Sequence, residues 1–193
     1  MFIGEGYYSE EELTRFGFRR LGKNVKIKRS VTISHTENLA IENNVRIDDF
    51  VVIICSGEPC ELGSFVHIAS HCVFLGRSGF AMADFAGLSP QVTIVTLSDD
   101  YSGGKLTNPT VARRMTGGDQ GRVTLGRHVI IGAGSVIFPA VTIGEGSSIG
   151  ALSLVNSSLD EWGVYAGIPA RRLKDRKKDL LTLEKALLAG DVS

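Results

Sequence analysis

The chain has 193 residues, and its 21 lysines and arginines are balanced by 21 aspartates and glutamates, which gives a formal net charge of zero. This balance and the 43% hydrophobic content exclude a disordered chain and disfavour a globally basic nucleic-acid-binding protein. No apolar run approaches the roughly 20 residues of a membrane span. Three cysteines are too few for a disulfide scaffold, so we expect a cytoplasmic protein.

The first predicted element is a short helix within residues 1–20. Ser9 is followed three positions later by Glu12, which is the capping-box pattern, and Leu13 and Phe16 supply an apolar side. We therefore expect a short N-terminal helical appendage before the main domain.

The main domain, residues 21–170, is predicted from a repeat of six residues. An aliphatic residue recurs at each sixth position, and a small or β-branched residue follows it four positions later. The longest unbroken run is Leu125, Ile131, Ile137, Ile143, Ile149 and Val155. This period is neither that of a helix nor that of a strand, and it suits a chain that runs straight, turns and repeats. Three hexads then form one triangular coil, and stacked coils bury the inward aliphatic residues of roughly six or seven turns.

The repeat is interrupted in four places. SHTENL, ICSGEPCE and the GRSGF region are predicted to be short insertions at corners of the coils, and residues of about 99–122 form one long loop rich in Gly, Asn and Pro. Beyond the repeats, residues 171–193 are predicted to be a basic segment followed by a helix. That helix has leucines at helical spacing and ends at Gly190.

Two stretches carry a resemblance to a known family. The repeats and the ending Gly167-Ile168-Pro169-Ala170-Arg171 resemble the hexapeptide-repeat acyltransferases, and SDDYSGGKLTNPTV is similar to acetyltransferases of bacterial surface-polysaccharide and O-antigen synthesis. The resemblance implies an all-β solenoid, a left-handed parallel β-helix. It also implies a homotrimer that moves an acetyl group from acetyl-CoA to a hydroxyl or amino group of a sugar. No metal is expected.

The resemblance also implies where the donor binds. In similar enzymes the pantetheine arm of coenzyme A lies in the groove between neighbouring prisms, and one or two basic side chains pair with its phosphates. The residues that this places at the donor are Gly132, Ala133, Ser135, Gly150, Ala151, Ser153, Asn156, Pro169, Arg171 and Arg172.

The sequence departs from the family at the general base. Many related acetyltransferases have a histidine where the long loop begins, whereas this chain has Asp99 and Asp100 there. The alternative bases are His71 and His67, which fall at outward positions of the preceding coil, with His128 next in line. Because a neutral sugar amine is already nucleophilic, the missing histidine favours an amine acceptor or an aspartate-assisted site.

Two other functions stay open at this point. A γ-type carbonic anhydrase shares the fold but needs three converging histidines, and the spacing of His67 and His71 differs from that family's. A noncatalytic assembly module would need neither the long loop nor the GIPARR ending.

Overall fold

The structure, a computed structural model, describes Gly4 and residues 6–190. Within that part of the chain, helix α1 (Glu10–Arg15) and helix α2 (Leu180–Leu188) flank a body of short strands. The predicted capping box is present, since the Glu12 amide donates to Ser9 Oγ at 3.2 Å and the Ser9 amide donates to Glu12 Oε2 at 2.8 Å. None of the helices described has the length and hydropathy required to cross a bilayer.

The strands of the described residues form three sheets, one on each side of a triangular prism. The first sheet contains β1 (Arg20–Leu21), β4 (Leu39–Ile41), β7 (Cys60–Leu62), β10 (Phe80–Met82), β13 (Val123–Leu125) and β16 (Thr142–Ile143). The second contains β2 (Lys26–Ile27), β5 (Arg46–Ile47), β8 (His67–Ile68), β11 (Gly87–Leu88), β14 (Ile130–Ile131), β17 (Ser148–Ile149), β19 (Gly163–Gly167) and β20 (Ala170–Asp175). The third contains β3 (Thr32–Ser34), β6 (Val52–Ile54), β9 (Val73–Leu75), β12 (Thr93–Val95), β15 (Val136–Ile137) and β18 (Leu154–Val155).

Each strand pairs in parallel with the strand one coil further along, and the exception is β20, which runs antiparallel to β19. The hexad aliphatics occupy matching positions in these ladders and point into the prism. In the second sheet, for example, the column is Ile27, Ile47, Ile68, Leu88, Ile131 and Ile149. All six are at most 3% exposed, so the repeat predicted the core and its coils correctly.

An aromatic column runs along the corner between the first and second sheets. Phe65, Phe85 and His128 each have a positive φ near 60° there, which turns the chain sharply, and their rings stack. The ring centroids are 4.7 Å apart for Phe65 and Phe85, and 5.0 Å apart for Phe85 and His128. His128 is therefore buried in packing, so it does not fit the role of a further alternative base.

The C-terminal segment packs against this corner of the prism. Helix α2 buries Glu184, whose carboxylate lies 2.9 Å from His128 Nε2 and also forms an ion pair with Arg127. The Arg176 guanidinium, ahead of the helix, donates to the carbonyl oxygens of His128 and Gly146 at 2.7 and 3.0 Å. The end of the chain is thus tied to the prism by buried polar contacts.

Candidate active site

All four interruptions of the repeat lie at the same corner, between the third sheet and the first. They connect β3 to β4, β6 to β7, β9 to β10 and β12 to β13, so they stack on one another. The 3₁₀ turn Thr36–Asn38 lies in the first of them. Glu58 in the second donates its amide to the Arg77 carbonyl in the third at 3.0 Å. This corner is where the chain departs most from a plain coil.

The long loop, residues 96–122, leaves the prism through a narrow neck. Thr96 is fully buried, and its hydroxyl donates to the Leu75 carbonyl at 2.8 Å and accepts from the Ser78 amide at 2.9 Å. Above it, Leu97 and Gln120 form an antiparallel bridge, and the Ser98 amide donates to the Asp119 carbonyl at 2.8 Å. The neck fixes the position of the next residue, Asp99.

Gly118 packs directly against the peptide that joins Ser98 and Asp99. A Cβ atom at this position would lie 2.0 Å from the Ser98 carbonyl oxygen and 2.6 Å from the Asp99 carbonyl carbon, and the Gly118 φ of +126° is one that side chains rarely adopt. Only glycine fits this close approach, so Gly118 helps to hold Asp99 in place.

A cavity of about 490 Å³ opens beside the neck. Its lining residues are Arg77, Leu97, Ser98, Asp99, Asn108, Pro109, Val111, Arg113, Thr116, Gly117, Gly118 and Gln120. Asp99 supplies the carboxylate of this lining, and Arg77 and Arg113 supply its positive charge. The set can hold a polar, partly anionic ligand next to a group that accepts protons.

Asp99 and Asp100 differ in what their carboxylates do. Asp100 accepts the amides of Ser102 and Lys105 at 2.8 and 2.7 Å, and the hydrogen bonding from Ser102 holds the pKa of its carboxyl below the usual value. It thus caps a turn of the loop and does not line the cavity. The Asp99 carboxylate accepts only a long contact of 3.3 Å, from the Asn108 amide, and Asp99 lines the cavity. The geometry favours Asp99 as the residue that meets a substrate.

A second cavity of about 550 Å³ adjoins the first and shares Arg77, Arg113 and Gln120 with it. Its other lining residues are Ser56, Gly57, Glu58, Ser78, Gly121 and Arg122. Arg122 is already engaged there, since its guanidinium donates to Glu61 Oε2 at 2.7 Å and to the Pro59 carbonyl at 2.9 Å. Arg77 and Arg113 are not predicted by the repeat or by any motif of the sequence. The signal that points to them is the corner that all four insertions share.

His67 and His71 lie on the outside of the prism and line neither cavity. His67 Nε2 is 2.8 Å from Asp48 Oδ2, while Arg46 donates to the other carboxylate oxygen at 2.7 Å. Partial burial raises the pKa of Asp48, but the hydrogen bonds from His67 and Arg46 outweigh it and hold that pKa below its usual range. His71 occupies a corner with φ of 62° and packs against the Phe50 ring, with centroids 5.1 Å apart.

The residues expected at the donor fall into two groups. Gly132, Ala133, Gly150, Ala151 and Asn156 have exposed or half-buried surface on the outside of the fifth and sixth coils, where a ligand can reach them.

Ser135 and Ser153 require a correction, because both are buried inside the prism. Both hydroxyls donate to the Gly150 carbonyl, at 3.1 and 2.7 Å, and Ser153 Oγ also accepts the Gly167 amide at 3.1 Å. Small residues at this phase fit into the corner from within, so these two hydroxyls hold the coils together instead of facing the groove.

Arg171 and Arg172 lie on β20 and not at the start of a helix, because α2 begins only at Leu180. Pro169 is half-buried in the turn just before β20. The Arg172 guanidinium donates to Asp175 and to the Tyr165 hydroxyl, each at 2.8 Å, whereas Arg171 is exposed and bonds only to the adjacent Ala170 carbonyl. Of the two, Arg171 is the freer to meet a phosphate.

The cysteines of the described chain are packing residues. Cys55, Cys60 and Cys72 are buried thiols, and burial raises the pKa of Cys72 to about 11, as expected of a packing residue. Over Gly4 and residues 6–190, no group of three or more His, Cys, Asp or Glu side chains is arranged to hold a metal ion.

Comparison with known proteins places the chain in a family. No family model matches it. It is 38% identical over 178 residues to a dTDP-4-amino-4,6-dideoxy-D-glucose acyltransferase of Escherichia coli, covering 92% of this chain and 93% of that one. It is 26% identical to WbbJ, a putative lipopolysaccharide biosynthesis O-acetyl transferase of Escherichia coli K12, over 83% of this chain and 80% of that one.

Among solved structures, the chain is similar to AntD, an N-acyltransferase from Bacillus cereus in complex with dTDP and 3-hydroxybutyryl-CoA. The TM-score is 0.92 at 42% identity, covering 99% of this chain and all of the other. Other AntD structures carry replacements of a serine or of an aspartate ten positions further along. The likeness confirms the left-handed parallel β-helix and an acyl-CoA donor. The chain therefore belongs to the hexapeptide-repeat acyltransferases, and it is an acyl-CoA-dependent sugar acyltransferase.

Proposed function

We propose that the chain acylates the amine of a dTDP-linked 4-amino-4,6-dideoxy sugar. The observation that carries the proposal is Asp99, a carboxylate held by the neck of the loop and facing the 490 Å³ cavity, with no histidine among that cavity's lining residues. An amine acceptor fits such a site, because its nitrogen lone pair attacks without prior removal of a proton by a strong base.

Sequence spacing supports the same residues. In the whole chain, Ser89 before Asp99 is the one serine that precedes an aspartate by ten positions, as in the replaced pair of AntD. Ser89 is half-buried and directly follows β11, at the corner between the second and third sheets. We therefore propose Ser89 as a further residue of the site.

The proposed reaction step needs one proton acceptor. The sugar amine attacks the thioester carbonyl carbon, a C–N bond forms, and the C–S bond breaks. The Asp99 carboxylate accepts the proton that the nitrogen loses and passes it to the departing thiolate, which gives the free thiol of coenzyme A and leaves Asp99 ionised again. His71 and His67 stay the competing bases. Neither lines either cavity, and His67 is already bonded to Asp48, but His71 lies at the same corner of the prism as Ser89.

We propose that the active enzyme is a homotrimer. On the outer face of the third sheet, one ladder carries Thr32, Val52, Val73, Thr93, Val136 and Leu154. A neighbouring ladder adds Ile54, Leu75 and Val95, and Leu75 is 40% exposed. A partly exposed aliphatic sheet face is typical of a surface that packs against another subunit.

A second prism on this face would also complete the donor groove. The third sheet lies between the corner that carries Asp99 and the corner that carries Ser89, Gly132, Ala133 and Ala151. Coenzyme A bound between two prisms would then run along the small residues of one corner, with Arg171 placed for its phosphates. Pro169 and Asn156 stay proposed contacts of the same groove.

We place the enzyme in the cytoplasm, in the synthesis of surface polysaccharides such as O-antigen. The buried free thiols suit a reducing compartment, and the relatives include a lipopolysaccharide biosynthesis enzyme.

The test is release of coenzyme A thiol with two acceptors that differ in one atom. With acetyl-CoA or 3-hydroxybutyryl-CoA as donor, dTDP-4-amino-4,6-dideoxyglucose should be acylated, and dTDP-6-deoxyglucose, which has a hydroxyl at the same carbon, should not. Equal or faster turnover of the hydroxyl acceptor would contradict the proposal.

A further inference from the structure

Two arginines line both of the adjoining cavities. Arg77 comes from the insertion between β9 and β10, and Arg113 comes from the 3₁₀ turn Arg113–Met115 in the long loop. Both residues line both cavities, and both are exposed. Two separate segments of the chain thus bring positive charge to one wall.

Neither guanidinium group has an ion pair or hydrogen bond with any residue that the structure describes. Seven other arginines are paired with carboxylates. The pairs are Arg15 with Glu11, Arg20 with Glu42, Arg29 with Glu12, Arg46 with Asp48, Arg122 with Glu61, Arg127 with Glu184 and Arg172 with Asp175. Two converging arginines without a counter-ion leave ten N–H donors available to an anion, and the planar guanidinium matches phosphate oxygens especially well.

The charged residues follow one another in a fixed order along the two cavities. Asp99 lies only in the first cavity, the arginine pair lies on the wall common to both, and Glu58 lies only in the second. A ligand that fits this order has an uncharged, reactive group at one end, a strongly anionic middle and a neutral polar group at the other end. A nucleoside diphosphate sugar has that order, with its sugar toward Asp99 and its nucleoside in the second cavity.

We infer that Arg77 and Arg113 bind the diphosphate of the nucleotide-linked acceptor and thereby point its sugar at Asp99. This inference rests on the proposed function and adds the residues that select a nucleotide-linked sugar over a free one. Coenzyme A also contains a diphosphate, so the test measures the two ligands separately.

The experiment is calorimetric titration of the enzyme with dTDP and, separately, with coenzyme A. Arg113→Ala and Arg77→Ala should each weaken dTDP binding by roughly tenfold or more, because each removes a charge-assisted contact. Arg114→Ala is the matched control, since this exposed arginine follows Arg113 in the same 3₁₀ turn and lines neither cavity. The control should bind dTDP like the wild type, and coenzyme A affinity should be unchanged in all three variants.

Two further measurements make the result decisive. The affinity advantage of dTDP over dTMP should shrink in both arginine variants, because the second phosphate loses its partners. Arg113→Lys keeps the charge but loses the bidentate geometry, so its dTDP affinity should lie between those of the wild type and Arg113→Ala. If Arg113→Ala unfolds at a lower temperature than the wild type, Arg113→Lys takes its place in the comparison.

Unchanged dTDP affinity in both alanine variants, or a loss that falls on coenzyme A instead, would overturn the inference. If the wild type acylates the amino sugar while the arginine variants bind dTDP normally, the proposed function stands and the arginine assignment fails. A wild-type enzyme that binds no dTDP at all overturns both.

Discussion

Asp99 and Asp100 are neighbours in sequence with opposite surroundings. Asp100 is occupied by the amides of Ser102 and Lys105, and Asp99 faces the cavity with a single long contact. Asp100 therefore stabilises the loop, and Asp99 is the residue placed to contact a ligand. The sequence alone does not distinguish these two roles, because both residues are aspartates at the start of the loop.

Asp99→Asn should lower kcat for the amino-sugar acceptor by about 10²–10⁴, because the amide cannot accept the proton that the nitrogen loses. Affinity for coenzyme A should stay within a fewfold, and the residual rate should rise with pH as more of the amine is deprotonated. Steady-state kinetics with a coenzyme A titration measures both. Asp100→Asn is the matched control and should keep kcat near the wild-type value, and a larger loss there than in Asp99→Asn would contradict the assignment.

Gly118→Ala should also reduce kcat, although glycine has no side chain to offer a substrate. Its new Cβ would collide with the peptide between Ser98 and Asp99 and move the carboxylate. Gly103→Ala is the control, because Gly103 lies in the same loop with a φ of +84° and has nothing within 4 Å of the added atom. It adds the same kind of backbone strain without the collision. Kinetics that are equal for the two variants would show that Gly118 does not position Asp99.

At the scale of elements, the hexad pattern was sufficient to predict the coils, because each inward aliphatic is fixed by stacking on the equivalent residue of the next coil. The same pattern misassigned Ser135 and Ser153. A small residue four positions after the inward aliphatic fits either a ligand groove on the outside of the prism or a tight corner on its inside. Only the direction of the chain at the corner decides which of the two it is, and here both serines are buried.

The arginine pair could not be predicted from the sequence. Arg77 and Arg113 are 36 positions apart in segments that follow no repeat, so neither periodicity nor spacing predicts that they converge. The sequence does show where the four insertions occur, because each of them follows a hexad that belongs to the third sheet. Tracking that phase predicts the corner at which the site forms, though not the side chains that meet there.

Helix α2 depends on its buried Glu184. Glu184→Ala would leave His128 and Arg127 without their partner against the prism, and a buried polar group left unsatisfied costs about 1–3 kcal/mol. The free energy of unfolding from urea denaturation should fall by that amount. Leu183→Ala changes a residue of the same helix that is 70% exposed and should have little effect. Equal losses in the two variants would indicate that the pair does not anchor the helix.

In the whole molecule, the proposed trimer depends on the outer face of the third sheet. Leu75→Glu places a charge on that aliphatic face. We expect the wild type to sediment as a trimer and this variant to sediment as a monomer at micromolar concentration, with loss of acyl transfer. Thr142→Glu places the same charge on the exposed face of the first sheet and should leave the trimer intact. Circular dichroism of both variants verifies the fold. A wild type that sediments as a monomer would contradict an active site shared between subunits.

We propose that this enzyme forms an amide between an acyl group and a nucleotide-linked amino sugar at Asp99. The most direct measurement is identification of the product by mass and by nitrogen-15 NMR, with dTDP-4-amino-4,6-dideoxyglucose labelled at its amine. We expect one hydroxylamine-resistant amide for each coenzyme A thiol released, with the acyl carbon coupled to the labelled nitrogen, and a loss of about 10²–10⁴ in its rate of formation by Asp99→Asn. A hydroxylamine-sensitive ester, or an amide formed at full rate by Asp99→Asn, would contradict it.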